Sequence, residues 1–270
     1  MSLAFITVVV AMVLSGGEPD ARHVDFQSHL GKFEGCFIIR ELGKPWSLRH
    51  NEARCAQRFS PCSTFKVFNS LAALDSGVIA GPDTLLQWDG SPQHFKTWER
   101  DHTLASAVKD SVVWYFQEVA RRIGAERMKK YLAACDYGNQ DISAGIDRFW
   151  LDASLKISAD EQIRFMEGLY QDRLPFKKDV MKTVRSLLVQ KQGADWVFSG
   201  KTGTAALQDK PVLGWFVGHV RSKDRQFVFA INIQAADGAW GPTARDLAFN
   251  ILKDLRLVSD AEPGRVLPSG

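Results

Sequence analysis

The sequence predicts an α+β fold, in which an antiparallel β-sheet is flanked by helices and carries an inserted all-helical subdomain. Two observations lead to this prediction: strand-forming runs lie towards both ends of the 270-residue chain, and the middle third is helical in pattern. Strands from both ends share one sheet only if the helices between them form an insertion. We assign about residues 21–75 and 190–270 to the α/β part, and about 76–189 to the helical part, of a single domain over 21–270.

The first third of the chain predicts a hairpin followed by a helix. Residues 36–40 are rich in strand formers, Gly43-Lys44-Pro45 supplies a turn, and a second strand is expected near residues 46–49. After a loop, apolar residues recur at helical spacing from 65 to 74. Ser63 therefore stands at the N-terminus of a predicted helix.

Helices and then strands are predicted for the rest of the chain. Ser158, with Glu161 three positions later, forms a capping box that begins a helix, and we expect Pro175 to end it. Further helices are expected over residues 104–108, 112–123, 127–134, 180–189 and 243–255, and strands over 196–199, 213–220 and 226–233. Loops at 94–102 and 205–212 are expected to set the range of ligands.

Charge and hydropathy exclude some partners. The 34 basic and 31 acidic residues leave a net charge of +3, which does not indicate nucleic acid or an anionic membrane as a partner. Residues 3–14 form an apolar run that is too short to span a bilayer and is typical of a secretory signal, although no basic residue precedes it. We therefore predict a signal peptide over residues 1–20, and no attachment to a membrane once it is removed.

No metal site is predicted. The six histidines form no His-x-His or His-Glu-x-x-His pair, and the four cysteines form no Cys-x-x-Cys pair. In an exported chain, a disulfide between Cys36 and Cys55 would close a loop of roughly 20 residues and contribute about 3 kcal/mol, but four cysteines allow three connectivities. Gly200-Lys201-Thr202 is similar to the end of a phosphate-binding loop, yet Asp195 stands where that loop needs glycine.

Ser63 and Lys66 form the first candidate catalytic pair. Three positions apart on a helix, the hydroxyl and the amine lie on one face, one turn apart. A serine hydroxyl is a poor nucleophile at neutral pH and needs a base, and a lysine can serve if apolar neighbours such as Phe65 favour its neutral form. The helix N-terminus adds backbone N–H groups that stabilise a developing oxyanion.

Lys201-Thr202-Gly203 is a second motif, on a predicted strand in the C-terminal third. Lys201 and Thr202 offer a charge and a hydroxyl to a carboxylate, while Gly203 leaves space for a ligand along the strand. The backbone N–H of Thr204 is a candidate second oxyanion donor beside that of Ser63. Together, the two motifs are the signature of serine β-lactamases and penicillin-binding proteins.

Four further features narrow the choice among these classes of protein. They are Ser111-Val112-Val113, Tyr137-Gly138-Asn139, Trp150 within Phe-Trp-Leu-Asp, and Arg245. With these motifs in this order, the sequence resembles the class D, oxacillinase-type serine β-lactamases over nearly all of its length after the signal. The resemblance implies the β-lactamase/transpeptidase-like fold and a periplasmic or secreted bacterial enzyme, monomer or homodimer, that confers antibiotic resistance. Its partners would be β-lactam antibiotics, whose amide bond is hydrolysed through an acyl-enzyme on Ser63.

The resemblance also implies roles for single residues. Lys66 reacts with carbon dioxide or bicarbonate and becomes a carbamate, the general base for acylation and deacylation, and no other cofactor is implied. Val113 gives the carbamate an apolar lining and Trp150 donates its indole N–H to it. The remaining implied roles are proton transfer to the leaving nitrogen by Ser111, carboxylate binding by Arg245, and shaping of a loop by Tyr137, Gly138 and Asn139.

One alternative stays open, a non-hydrolysing penicillin-binding or sensor domain. Such a protein forms the acyl-enzyme and does not release it. Val113 in place of an asparagine favours the hydrolase, because an apolar lining keeps an amine neutral and able to form a carbamate. Read without the resemblance, Ser111 is a helix cap, Tyr137-Gly138-Asn139 is a turn and Arg245 is a surface arginine.

Overall fold

The computed structural model describes residues 24–151 and 154–260. The predicted signal at residues 1–20 lies outside the described residues. In chain order the elements are α1 (Phe26–Leu30), β1 (Glu34–Glu41), β2 (Ser47–His50), α2 (Glu52–Ala56), α3 (Lys66–Asp75), β3 (Leu85–Leu86), β4 (His102–Thr103), α4 (Leu104–Lys109), α5 (Val113–Ile123), α6 (Ala125–Ala134), α7 (Ala159–Tyr170), α8 (Lys178–Leu187), β5 (Val189–Gln192), β6 (Trp196–Leu207), β7 (Lys210–Ser222), β8 (Arg225–Gln234) and α9 (Gly241–Asp254).

Six strands form one antiparallel sheet in the order β2-β1-β8-β7-β6-β5. The first two strands come from the N-terminal part of the chain and the other four from the C-terminal part, so the prediction of one sheet built from both ends is confirmed. β3 and β4 pair separately in the middle of the chain. None of the helices in the described ranges is long and apolar enough to cross a membrane.

Each face of the sheet carries its own apolar core, because side chains alternate along a strand. On one face, Phe198, Phe216 and Phe229 pack against α9, with Phe198 and Phe229 stacked at 5.7 Å between ring centroids. On the other face, Trp215 and Val217 of β7 join the larger core formed with helices α3 to α8. In α3 every residue from 66 to 73 is buried, so this helix runs through the middle of the larger core.

The structure differs from the sequence prediction in the segment 205–212, which is not a loop. β6 and β7 continue through it and meet at a two-residue turn, Gln208 and Asp209, with φ of 50° and 62°. Two consecutive residues of positive φ give a hairpin turn whose twist matches that of the strands. This turn was not predicted because neither residue is glycine or asparagine, the residues that most favour positive φ in a hairpin turn.

The predicted ends of two helices were also wrong. Helix α8 ends at Leu187, and residue 189 begins the edge strand β5. This strand was not predicted because it is exposed at all four positions and shows no alternation of polar and apolar residues. The helix that begins after Ser158 ends at Tyr170, before Pro175. Asp172 there has a φ of 53°, which no helix accommodates.

Cys36 of β1 and Cys55 of α2 are neighbours in the buried core, as their predicted pairing requires. Both are free thiols, however, so the structure does not contain the predicted disulfide. The Cys55 thiol donates to the backbone oxygens of His50 at 3.5 Å and Phe37 at 3.9 Å. These contacts satisfy the Cys55 thiol in its reduced form.

Candidate active site

The nucleophile turn, residues 62–65, is a short 3-10 turn that runs directly into α3. Cys62 has a φ of 49°, a left-handed conformation that costs a non-glycine residue about 1–2 kcal/mol. The turn is held by Thr64, whose Oγ1 donates to Pro61 O at 2.7 Å and accepts from Gln162 Nε2 at 3.0 Å. Strain immediately before a candidate nucleophile is typical of functional sites.

Lys66 meets Ser63 and Ser111 in the buried interior. Its side chain is fully buried, and its Nζ lies 2.7 Å from Ser63 Oγ, 2.8 Å from Ser111 O and 3.1 Å from Ser111 Oγ. Burial, together with the positive charge of Lys201, holds the pKa of the Lys66 amine well below its ordinary value. A neutral amine at this distance is able to accept the Ser63 proton.

Ser111 connects the two lysines. Its Oγ lies 3.0 Å from Lys201 Nζ and 3.1 Å from Lys66 Nζ, and its φ of 57° directs it away from a regular helix start. The N-cap position of α5 is occupied by Val112, and no side chain donates or accepts a capping hydrogen bond there. Ser111 is therefore not the helix cap that its sequence position suggests. Burial lowers the pKa of Lys201 to about 7. The structure thus brings Ser63, Lys66, Ser111 and Lys201 into one hydrogen-bonded chain.

Gly203 brings β6 against the nucleophile turn. A Cβ at this position would lie 2.8 Å from Pro61 O and 3.1 Å from Thr64 Cγ2. The glycine is therefore needed for the contact between strand and turn, whereas the sequence suggested that it leaves room for a ligand. Next in the strand, Thr204 Oγ1 accepts from the backbone N–H of Gly241 at 2.9 Å, which joins β6 to α9.

Trp150 lies behind the nucleophile turn. It is fully buried and stacks on Phe65 with 5.6 Å between ring centroids. Its indole Nε1 has no hydrogen-bond partner among the described residues. A buried donor without an acceptor costs about 1–3 kcal/mol, so this N–H is available to a group bound beside it. Val113, the first residue of α5, is partly buried against the same core.

The Tyr137-Gly138-Asn139 loop packs behind Phe65. Tyr137 is buried with its ring 5.5 Å from that of Phe65. Gly138 has a φ of 57°, and a Cβ there would lie 2.1 Å from Lys156 O, so only glycine fits. The backbone N–H of Asn139 donates to the same oxygen at 2.9 Å. The loop touches the site through Phe65, consistent with shaping rather than chemistry.

Arg245 has no hydrogen bond or ion pair with Lys201, Thr202 or Gly203 among the described residues. It lies one turn into α9, half-buried, and its Nε pairs with Asp246 at 3.0 Å. Its predicted role in carboxylate binding stays a prediction. No group of three or more His, Cys, Asp or Glu residues within the described ranges is arranged to hold a metal ion.

Three residues of the site's frame were not found from the sequence. Trp98 Nε1 donates to Asp110 O at 2.9 Å and so fixes the residue before Ser111. Gln162 and Ser60 hold the turn that carries the nucleophile. Their contacts cross up to 155 residues of chain, and no local sequence pattern indicates them.

Comparison with known proteins identifies the family. The model of the penicillin-binding protein transpeptidase domain matches residues 16–253. The probable β-lactamase YbxI of Bacillus subtilis (strain 168) is 42% identical over 226 residues, which cover 84% of this chain and 82% of that protein. The chain belongs to the class D β-lactamases. The predicted family and fold are therefore confirmed.

This class D β-lactamase is also similar to a solved structure and to a regulatory protein. The structure of the class D β-lactamase BAT-2 superposes with a TM-score of 0.83 at 40% identity, over 88% of this chain and 98% of that one. The regulatory protein BlaR1 of Bacillus licheniformis is 36% identical over 235 residues, which cover 86% of this chain but only 39% of that protein. The family fold is thus also present in a protein named for regulation.

Proposed function

We propose that this class D β-lactamase hydrolyses the β-lactam amide bond of penicillins and related antibiotics through an acyl-enzyme on Ser63, and so confers resistance. The observation that carries the proposal is the fully buried Lys66 amine, 2.7 Å from Ser63 Oγ and connected through Ser111 to Lys201. Such a chain can take a proton from the nucleophile and deliver one to the leaving group.

In acylation, the proton moves along the hydrogen-bonded chain from Ser63 to Lys66 and Ser111. Ser63 Oγ loses its proton towards Lys66 and attacks the lactam carbonyl carbon, and the backbone N–H groups of Ser63 and Thr204 stabilise the oxyanion. The carbon–nitrogen bond then breaks as the Ser111 hydroxyl protonates the lactam nitrogen and receives in turn the proton that Lys66, 3.1 Å away, took from Ser63. Lys201, 3.0 Å from Ser111 Oγ, orients that hydroxyl and offers positive charge to the substrate carboxylate.

The surroundings of Lys66 fit its N-carboxylation. An amine must be neutral to react with carbon dioxide, and burial keeps the pKa of Lys66 low. Trp150, stacked on Phe65, has a buried N–H with no acceptor within the described ranges, and Val113 is partly buried against the same apolar core. The carbamate would supply a carboxylate base close to Ser63, for acylation and for the activation of water in deacylation.

A second candidate function is penicillin binding without hydrolysis, as in a sensor domain. The 36% identity to the regulatory protein BlaR1 favours it, because most of this chain matches part of a protein named for regulation. The two functions agree on acylation of Ser63 and differ on its reversal. A base that activates water is the feature that separates them.

A chromogenic cephalosporin distinguishes the two functions. The purified protein should release colour continuously, with many equivalents per Ser63, whereas a sensor domain releases one equivalent and stops. Ser63→Ala should release none and is the control for spontaneous hydrolysis. A single stoichiometric burst from the unaltered chain would exclude hydrolysis.

The carbamate is tested separately. In buffer depleted of carbon dioxide at mildly acidic pH, activity should fall, and bicarbonate should restore it. Lys66→Ala should stay inactive at every bicarbonate concentration. A Lys66→Ala variant that remained active and did not respond to bicarbonate would refute the role of Lys66 while leaving the Ser63 acyl-enzyme in place.

We also propose that the chain is exported to the periplasm or secreted. The apolar run at residues 3–14 supports this proposal. N-terminal sequencing of protein recovered outside the cytoplasm should show cleavage after the signal, near residue 20. An intact N-terminus on cytoplasmic enzyme would contradict it.

A further inference from the structure

Ser60, which belongs to none of the motifs, joins the nucleophile turn to Trp150. It lies three positions before Ser63, is 8% exposed, and its Oγ donates to the backbone oxygen of Trp150 at 3.0 Å. Its own backbone oxygen accepts from Trp215 Nε1 of β7, also at 3.0 Å. The sheet therefore fixes Ser60, and Ser60 in turn fixes Trp150.

The neighbouring residue, Phe59, makes a second connection to the segment that follows Trp150, through backbone hydrogen bonds. Phe59 N–H donates to Ile157 O at 2.9 Å and Ile157 N–H donates to Phe59 O at 2.8 Å, an isolated antiparallel bridge. This bridge survives the loss of the Ser60 side chain. A substitution at Ser60 therefore removes the contact closest to the indole and leaves the two segments joined.

The Trp150 indole has no hydrogen bond of its own to hold it. Its Nε1 is buried without a partner in the described part of the chain, and its ring is located by stacking on Phe65 and edge contact with Phe149. Ring stacking alone tolerates sliding, because it is not directional in the plane. The hydrogen bond from Ser60 to the backbone of Trp150 therefore supplies the directional restraint.

We infer that Ser60 is a positioning residue for the N-carboxylation of Lys66. It acts through Trp150 and touches neither the substrate nor the reacting atoms, and the inference rests on the carbamate proposed above. Groups that orient a ligating side chain commonly change affinity by 10- to 100-fold when removed. A single neutral hydrogen bond lies at the lower end, so we expect about a tenfold weaker response to bicarbonate in Ser60→Ala.

The test measures the carbamate directly and not only activity. Wild type, Ser60→Ala and Ser60→Thr are titrated with isotope-labelled bicarbonate, and the carbamate signal of Lys66 is followed by NMR beside the bicarbonate dependence of hydrolysis. Ser60→Ala should need about tenfold more bicarbonate for half-maximal signal, and Ser60→Thr, which keeps the hydroxyl, should return towards wild type.

Ser76→Ala is the matched control. Its Oγ also donates to a backbone oxygen, Ala72 O at 2.6 Å, but at the far end of α3. This variant should titrate like wild type. If Ser60→Ala does not fold, as judged by circular dichroism, Ser60→Cys keeps the volume with a weaker donor and should show the same weakening.

The outcomes separate the two proposals. A carbamate signal in wild type with an unchanged midpoint in Ser60→Ala and Ser60→Cys would overturn the role of Ser60 and leave the mechanism standing. Absence of a signal in wild type at every bicarbonate concentration would overturn the carbamate and, with it, this inference.

Discussion

Replacing Gly203 with alanine should separate β6 from the nucleophile turn. The added Cβ would lie 2.8 Å from Pro61 O and 3.2 Å from Thr64 N, where ordinary contacts begin at 3.4 Å. Relief of the first contact alone requires a displacement of about 0.6 Å, and all the clashing atoms belong to the turn or to the residue beside it. Gly203→Ala should therefore move Ser63 relative to Lys201.

The expected loss follows from that displacement. A misplacement of about 1 Å costs roughly 100-fold in rate, so about 0.6 Å should lower kcat/KM by roughly tenfold or more, and overpacking should cost about 1–3 kcal/mol of stability. The assay is hydrolysis of a chromogenic cephalosporin, with urea unfolding measured in parallel.

Gly81→Ala is the matched control for this substitution. Its Cβ would meet nothing within 4 Å and its φ is not in the left-handed region. It should leave both kcat/KM and the unfolding midpoint within error of wild type. A Gly203→Ala variant with wild-type kcat/KM would refute the reasoning that the turn is positioned by its contact with β6.

Three further predictions concern the tryptophan, a buried histidine and the strand lysine. Trp150→Phe keeps an aromatic ring but removes the indole N–H, so about tenfold more bicarbonate should be needed for half-maximal activity, and an unchanged requirement would contradict the proposed donor. His219 is buried against Tyr170, and burial lowers its pKa to about 4. The free energy of unfolding should therefore be fully retained above about pH 6.5 and fall by up to about 3 kcal/mol as the pH drops towards 4, because the unfolded chain binds the proton first. Urea unfolding at both pH values should show this slope in wild type and a shallower one in His219→Phe; equal slopes would exclude His219 as the cause. Lys201, with a pKa lowered to about 7 by burial, loses its charge as the pH rises through 7. KM for a penicillin should therefore increase above that pH in wild type and stay flatter in Lys201→Arg, and a flat wild-type profile would contradict the role of Lys201 charge.

The sequence predicted the chemistry of the site better than its frame. Ser63 and Lys66 are one helical turn apart, so local spacing alone places their side chains together. Lys201 was predicted from the second motif and Ser111 from the resemblance. Ser111 Oγ lies 3.0 Å from Lys201 Nζ and 3.1 Å from Lys66 Nζ. The carboxylate-binding role of Arg245 stays a prediction, since its Nε pairs with Asp246 of the same helix.

The rest could not be read from the sequence for physical reasons. Gly203 matters because Pro61, 142 positions earlier, lies against it, and no local pattern reports a contact between distant segments. The edge strand β5 is exposed at every position and therefore lacks the alternation that marks a strand. Its assignment depends on the hydrogen bonds it makes with β6, which is tertiary information.

The division between hydrolysis and binding depends on a few residues behind Ser63. In the proposed mechanism, the nucleophile, the lysines and Ser111 carry acylation, and a protein that only binds penicillin would use the same set. Release would add a base able to activate water. Lys66 is fully buried and burial lowers its pKa, while Trp150, stacked on Phe65, has an indole N–H with no acceptor among the described residues. An unsatisfied buried donor is costly unless a bound group accepts from it. Since Ser60 holds the backbone of Trp150, that cost belongs to the frame of the site, and in the proposed mechanism the Lys66 carbamate would be the acceptor that removes it.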